Sequence, residues 1–153
     1  NYCMTLAKMK ATHISDNNPK ALVIGADTIV VIKNQILNKP IDSNQAEYML
    51  SMLSDNIHQV YTAICIKWVT NSIEHNFVEI TKVTFRPLKK QDILYYINNY
   101  HPYDKAGAYG IQDRSSIFVK KVRGCYDNVM GFPISRFYLE LKNLGINLLD
   151  TIS

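Results

Sequence analysis

Apolar positions change period several times along this chain, and each change predicts an element. Thr5–Ala11 mixes polar and apolar residues at helical spacing, with Met4, Leu6 and Met9 offering a face. The turn formers in His13-Ile14-Ser15-Asp16-Asn17-Asn18-Pro19 predict a loop after it. Ala21–Ile32 is rich in Val and Ile, and Lys33-Asn34-Gln35 before Ile36-Leu37 predicts a strand that turns into a hairpin. Asp42 or Ser43 can cap a helix whose Ala46, Met49, Leu50 and Leu53 fall at i, i+3, i+4 and i+7. His58–Thr70 and Ile73–Arg86 are β-branched and aromatic runs parted by Asn71-Ser72, which predicts two long neighbouring strands ended by Pro87. A helix is expected over Lys89–Asn99, with Ile93, Leu94 and Ile97 inward, closed by His101-Pro102. Ser116–Val122 reads as a strand. A last helix follows Pro133, with Ile134, Phe137, Tyr138 and Leu141 on one face and Gly145 at its end.

Strands and helices interleave without a fixed repeat or a linker-like shift in composition. The expectation is one α/β or mixed α+β domain over residues 1–153, built on a central mixed, twisted sheet flanked by helices. A length of 153 residues with 47% hydrophobic and 20% charged positions suits a single core. Seventeen Lys and Arg against thirteen Asp and Glu leave +4, too little to argue for a nucleic-acid polymer but compatible with a small polyanion. The longest apolar stretches, Ala21–Ile32 and Tyr61–Val69, fall short of the roughly 20 residues that cross a bilayer. Cys3, Cys65 and Cys125 are odd in number and lack C-x-x-C spacing, so a reducing cytoplasm is the expected compartment.

Candidate chemistry concentrates in a few segments. Gly25-Ala26-Asp27-Thr28 puts a carboxylate inside a run that otherwise reads as a buried strand. A desolvated lone charge is costly, so Asp27 needs hydrogen-bond partners, a metal ion or an opening to solvent, or else marks a turn or bulge. Lys39, between Asn38 and Pro40, offers a phosphate-binding point charge or a solvated loop lysine. His101–Gln112 is the densest segment: it combines Asp104, Lys105, Gly107, Gly110 and small residues where backbone must approach something closely. Gln112 has both a donor and an acceptor, which suits the edge of a base. Asp127–Pro133 delivers a Gly and a Pro ahead of the last helix, whose start can receive an anion or simply pack. The four histidines lack ligand spacing, the tyrosines around Tyr95-Tyr96 and Tyr100 suit packing as well as base stacking, and the common phosphate-loop, dinucleotide, zinc-protease and serine-hydrolase motifs are absent.

Taken in order, Leu6–Ala11, Gly25–Val30, Asn38-Lys39-Pro40, Ala46–Leu53 with Ser54 and His58, Asp104–Gln112 and Asn128–Pro133 resemble the Maf family of nucleotide pyrophosphatases, and the resemblance covers nearly the whole chain. It implies a Maf/ITPase-like fold and a cytoplasmic hydrolase that converts nucleoside triphosphates to monophosphate and pyrophosphate. It further implies Asp27 as general base and metal contact, a magnesium or manganese ion as cofactor, and Lys10, Lys39 and Lys105 on the substrate. Thr28 and Gln112 would help select the base. The string from Asp104 to Gln112 is similar to the branch acting on dTTP and UTP rather than on 7-methyl-GTP. The family also admits a homodimer. Two positions depart from the pattern: Asp113 stands where Gly is usual, and Phe132 where Leu is usual. The family's N-terminal strand, Ser-x-Arg-Arg phosphate loop and downstream Glu are not in this sequence, and the expectation is that this segment is missing.

Three readings follow. The first is a pyrimidine nucleoside triphosphate pyrophosphatase. The second is a catalytically impaired nucleotide-binding or cell-division regulatory protein. The third is an enzyme of the same site that hydrolyses modified nucleotides.

Overall fold

The computed structural model describes residues 2–148. Helix α1 (Tyr2–Ser15) leads into strand β1 (Val23–Ile32), which turns through Lys33 and Asn34 into the short β2 (Gln35–Leu37). Both turn residues have left-handed φ values, 49° and 64°, as a two-residue hairpin of the primed type requires. Helix α2 (Ser43–Leu53) begins at Asp42, whose Oδ1 accepts from the Gln45 amide at 2.7 Å. Strands β3 (Ile57–Trp68) and β4 (Ile73–Phe85) form the long hairpin, and helix α3 (Lys90–Tyr100) follows. Single 3-10 turns over Pro102–Asp104, Ala106–Ala108 and Arg114–Phe118 precede β5 (Val119–Arg123). Helices α4 (Tyr126–Met130) and α5 (Ile134–Asn143) end the order.

The expected α+β domain, a central sheet flanked by helices, is what these elements build. The strands lie in the order β2-β1-β3-β4-β5, and each of these pairings is antiparallel. Side chains alternate between the two faces of the sheet. On one face, Cys3, Ala7 and Ala11 of α1 pack with Val23, Ile29, Ala63 and Cys65. On the other, Val30, Ile32, Val60, Val83 and Phe85 meet α2 and α3, and Ile64, Ile66 and Phe77 meet Phe137 and Leu141 of α5.

Several sequence expectations need correction. Helix α1 runs on through His13, Ile14 and Ser15 instead of ending in a loop there, since Ser15 is fully buried and its hydroxyl donates to the Thr12 carbonyl. Its buried face is Cys3, Ala7, Ala11 and Ser15, while Met9 is 62% exposed. Small residues win this face because the helix lies against Gly25: a Cβ there would stand 2.1 Å from the Ala7 carbonyl oxygen and 2.8 Å from the Ala11 nitrogen. In α3, Tyr96 rather than Leu94 joins Ile93 and Ile97 in the core. Residues Ser116–Phe118 belong to a 3-10 turn, so the strand begins only at Val119. In α5, Phe137 and Leu141 are buried but Ile134 is 52% exposed.

Candidate active site

Strand β1 carries Asp27 and Thr28 side by side, opposite Ala63 and Thr62 of β3, in unbroken antiparallel register. Asp27 therefore sits within a strand, not in a turn or bulge. Adjacent strand residues point to opposite faces, so the carboxylate lies on the α1 side and the Thr28 hydroxyl on the α4 side. Strand β2 pairs only with Val30–Ile32, so among the described residues the outer edge of β1 at Ala26–Thr28 has no partner strand. A cleft wraps this edge and reaches both faces.

The cleft encloses about 510 Å³, and Lys10, Asp27, Thr28, Lys39, Lys105 and Gln112 all line it. The structure thus brings these six candidate residues together from four separated stretches of chain. Helix α1 supplies Lys10. Its ammonium donates to Asp27 Oδ1 at 2.6 Å and to the Ala26 carbonyl at 3.0 Å. Asp27 is 15% exposed and Lys10 56%, so the pair sits at the cleft's mouth with the carboxylate the more sheltered partner. The close packing of α1 on Gly25 sets this pair, because Lys10 adjoins Ala11 at the point of contact.

Thr28 is held from the other side. Its Oγ1 lies 2.9 Å from Thr62 Oγ1 and 3.3 Å from the Gly131 carbonyl, while Thr62 also reaches the Asn128 carbonyl at 3.3 Å. Each hydroxyl has one proton, so Thr28 donates either to Thr62 or to Gly131. Buried Asn128 anchors this wall: its amide donates to the Val60 carbonyl at 3.1 Å and to Thr81 Oγ1 at 3.0 Å. The loop after α4 contributes Val129, Met130 and Gly131 to the cleft, whereas Phe132 packs its ring against Phe137 at 5.0 Å.

The remaining wall is the segment from Asp104 to Asp113. Gly107 has φ +71°, and its amide donates to the Asn38 carbonyl at 3.1 Å, which links this segment to the turn carrying Lys39. Lys105 donates to Asp104 at 2.8 Å, and that bond holds the exposed Asp104 carboxyl below its ordinary range. Asp113 accepts from the buried Tyr96 hydroxyl at 3.0 Å and from the Ser115 amide at 2.8 Å, which gives the Gly-to-Asp departure a structural use. Burial pushes the Tyr96 hydroxyl above its ordinary pKa, so it stays a donor. Sequence reading missed Tyr109, Val60 and Met130 as lining residues. Val60 and Tyr109 are buried and read as core by their character, whereas Met130 is 40% exposed, and only the fold shows that all three border the cleft.

Three lysines and three aspartates line the cleft, so its side chains carry no net formal charge. Among the described residues no group of three or more His, Cys, Asp or Glu converges as a metal site. Tyr96 and Tyr100, stacked at 5.5 Å, border a separate cavity of about 220 Å³. No helix among the described residues is long and apolar enough to cross a membrane.

An α+β domain with one polar cleft at an open strand edge, bordered by lysines and a sheltered carboxylate, has the form of a small-ligand site for an anion. The chain belongs to the Maf family: the model described as Maf-like protein matches residues 1–144. A protein of Carboxydothermus hydrogenoformans named dTTP/UTP pyrophosphatase is 42% identical over 93% of this chain and 76% of its own length. Proteins of the same name from Syntrophomonas wolfei and a Geobacillus species are 44% and 47% identical, over 94% and 92% of this chain and 76% and 74% of their own lengths.

Proposed function

We propose that this protein hydrolyses pyrimidine nucleoside triphosphates, dTTP and UTP, to the monophosphate and pyrophosphate. The observation that carries this reading is the convergence of Lys10, Asp27, Thr28, Lys39, Lys105 and Gln112 on one cleft, in a chain whose relatives are named for that reaction. Asp27 serves as general base. It takes a proton from a water that attacks phosphorus in the α–β anhydride, and the bond to the bridging oxygen breaks as pyrophosphate leaves. Lys10, Lys39 and Lys105 hold phosphate oxygens as point charges.

The contact between Lys10 and Asp27 shapes this chemistry. The Lys10 ammonium, 2.6 Å away, occupies Asp27 Oδ1, an oxygen to which a water would otherwise donate. An incoming phosphate competes for the same ammonium, so substrate binding itself frees the base. Thr28 and Gln112 meet the nucleoside, with the apolar Val60, Ile111 and Met130 around the base.

The neutral charge balance of the cleft leaves a triphosphate under-compensated. A single carboxylate together with substrate phosphates and water is a donor set that suits magnesium or manganese, and Asp27 would be the protein's contribution to it. Such an ion supplies charge neutralisation at the phosphates.

The test is pyrophosphate release from dTTP, UTP, CTP, GTP and 7-methyl-GTP with magnesium or manganese. Selective turnover of dTTP and UTP, reduced at least ~100-fold in Asp27→Asn, is the expected result. An Asp27→Asn variant as active as the parent would remove Asp27 as the base. Tight binding without turnover would favour the nucleotide-binding reading, and faster turnover of methylated bases would favour modified substrates.

A further inference from the structure

We propose that His58 and Tyr109 are positioning residues for substrate, because the bond between them fixes the segment bearing Lys105 and Gln112 to the central strand of the sheet. The inference rests on the pyrophosphatase reading above.

His58 lies on β3 and is 1% exposed, and its Nε2 stands 2.8 Å from the Tyr109 hydroxyl oxygen. Around the pair the surroundings are apolar and aromatic: His58 meets Phe85 edge-on at 5.0 Å, and Phe85 meets Tyr109 at 4.9 Å. Nδ1 of His58 has no hydrogen-bond partner. In either neutral tautomer one donor of the pair is left unmatched, as Nδ1–H or as the tyrosine O–H. A second unmatched donor and a buried charge would come with protonation. Burial accordingly lowers the His58 pKa to about 4 and raises that of Tyr109. An apolar pair of this shape would leave no polar atom unsatisfied and would stabilise the core at least as well. Stability therefore gives no reason for a histidine here. Geometry does.

Tyr109 stands four residues after Lys105 and three before Gln112, and all three line the cleft. The other ties of this segment run sideways. Gly107 reaches the Asn38 carbonyl, and Gly110 exchanges bonds of 3.2 and 2.7 Å with the Ser115 side chain. The bond from Tyr109 runs instead to β3, whose Thr62 and Ala63 pair with Thr28 and Asp27. Through it, the wall that grips the substrate is registered against the strand that holds the base. Gly107, with its left-handed φ and a Cβ position 3.1 Å from Val30, lets the chain come close enough for that bond.

The experiment compares wild type, Tyr109→Phe, His58→Leu and His58→Gln in dTTP turnover with magnesium, and in hydrogen exchange of residues 104–112. A glutamine amide can replace Nε2 as a donor to the tyrosine; a leucine cannot. Tyr109→Phe and His58→Leu should raise KM about tenfold while kcat stays within about threefold, and His58→Gln should recover most of the KM. Exchange over 104–112 should be faster in Tyr109→Phe and His58→Leu than in wild type. An unchanged KM in folded Tyr109→Phe, or a His58→Gln no better than His58→Leu, would overturn the proposal. If wild type turns over no triphosphate, the pyrophosphatase reading fails instead, and equal exchange in all four proteins then overturns the positioning role by itself.

Discussion

The two walls of the cleft are built on different principles. On one side, α1 lies directly on β1 across Gly25, and Lys10 meets Asp27 because two backbones approach within the space of a missing methyl group. On the other, residues 102–118 form irregular single turns, held by side-chain bonds from His58, Ser115 and Tyr96. The first wall is positioned by the close backbone packing of α1 on β1. The second is positioned by polar bonds in a sheltered place, which are specific but vulnerable to protonation and to the loss of one atom. A site made this way has a fixed half, carrying Lys10 and Asp27, and a half that can be tuned.

Acid should separate the walls most strongly. His58 has a folded-state pKa of about 4 against an ordinary 6.5, because burial disfavours its cation. Above pH 6.5 both folded and unfolded chains are neutral at this residue, and its contribution is fully present. As pH falls from 6.5 towards 4 the unfolded chain takes up a proton that the folded chain refuses, so stability is lost. The loss saturates near pH 4 at on the order of 3 kcal/mol. Urea unfolding at pH 7 and pH 4.5 should show it as a difference between wild type and His58→Gln. Equal pH dependence in the two proteins would mean that His58 is protonated freely and the loop wall is not acid-sensitive through it.

The packed wall should fail to a substitution that adds one carbon. In Gly25→Ala the new Cβ meets backbone atoms, the Ala7 carbonyl and the Ala11 nitrogen, which cannot swing aside as a flexible side chain would. The helix must retreat, at a cost of about 2–3 kcal/mol. Lys10 retreats with it, so the variant should also lose phosphate affinity, seen as a raised KM for dTTP. A fully stable Gly25→Ala with unchanged KM would show that the contact at Gly25 does not set the Lys10 position.

These two walls were also unequally legible in the sequence. Periodicity showed that a helix precedes β1 and that Asp27 interrupts a buried strand, and the family resemblance singled out Lys10. Which face of α1 turns inward was misread, because burial follows the close approach at Gly25 and selects Ala7 and Ala11 over Met9. Along the second wall, the density of Gly, Lys and Asp marked Asp104–Gln112 as a place where backbone comes close to something. The pairing of Tyr109 with His58, 51 positions apart, leaves no local trace in the chain. Nor does Asn128, whose bonds to Val60 and Thr81 depend on where β3 and β4 lie. Local pattern reports which residues are available, and long-range pairing decides which of them meet.

The smallest expected effect tests whether the loop wall is a set of separable bonds. Tyr96 is 2% exposed, stacks on Tyr100 and donates to Asp113, the residue that departs from the family pattern. In Tyr96→Phe the ring remains and Asp113 keeps the Ser115 amide, while the hydroxyl's bond to a carboxylate is removed. The cost should be about 1.5 kcal/mol, or a fall in Tm of roughly 3–6 °C for a chain of this size. The Lys10–Asp27 pair lies on the opposite wall and shares no partner with Tyr96, so the effects of Tyr96→Phe and Gly25→Ala should add in the double variant. Strong non-additivity would mean that the two walls are mechanically coupled through the cleft floor, and the division into a fixed and a tunable half would have to be abandoned.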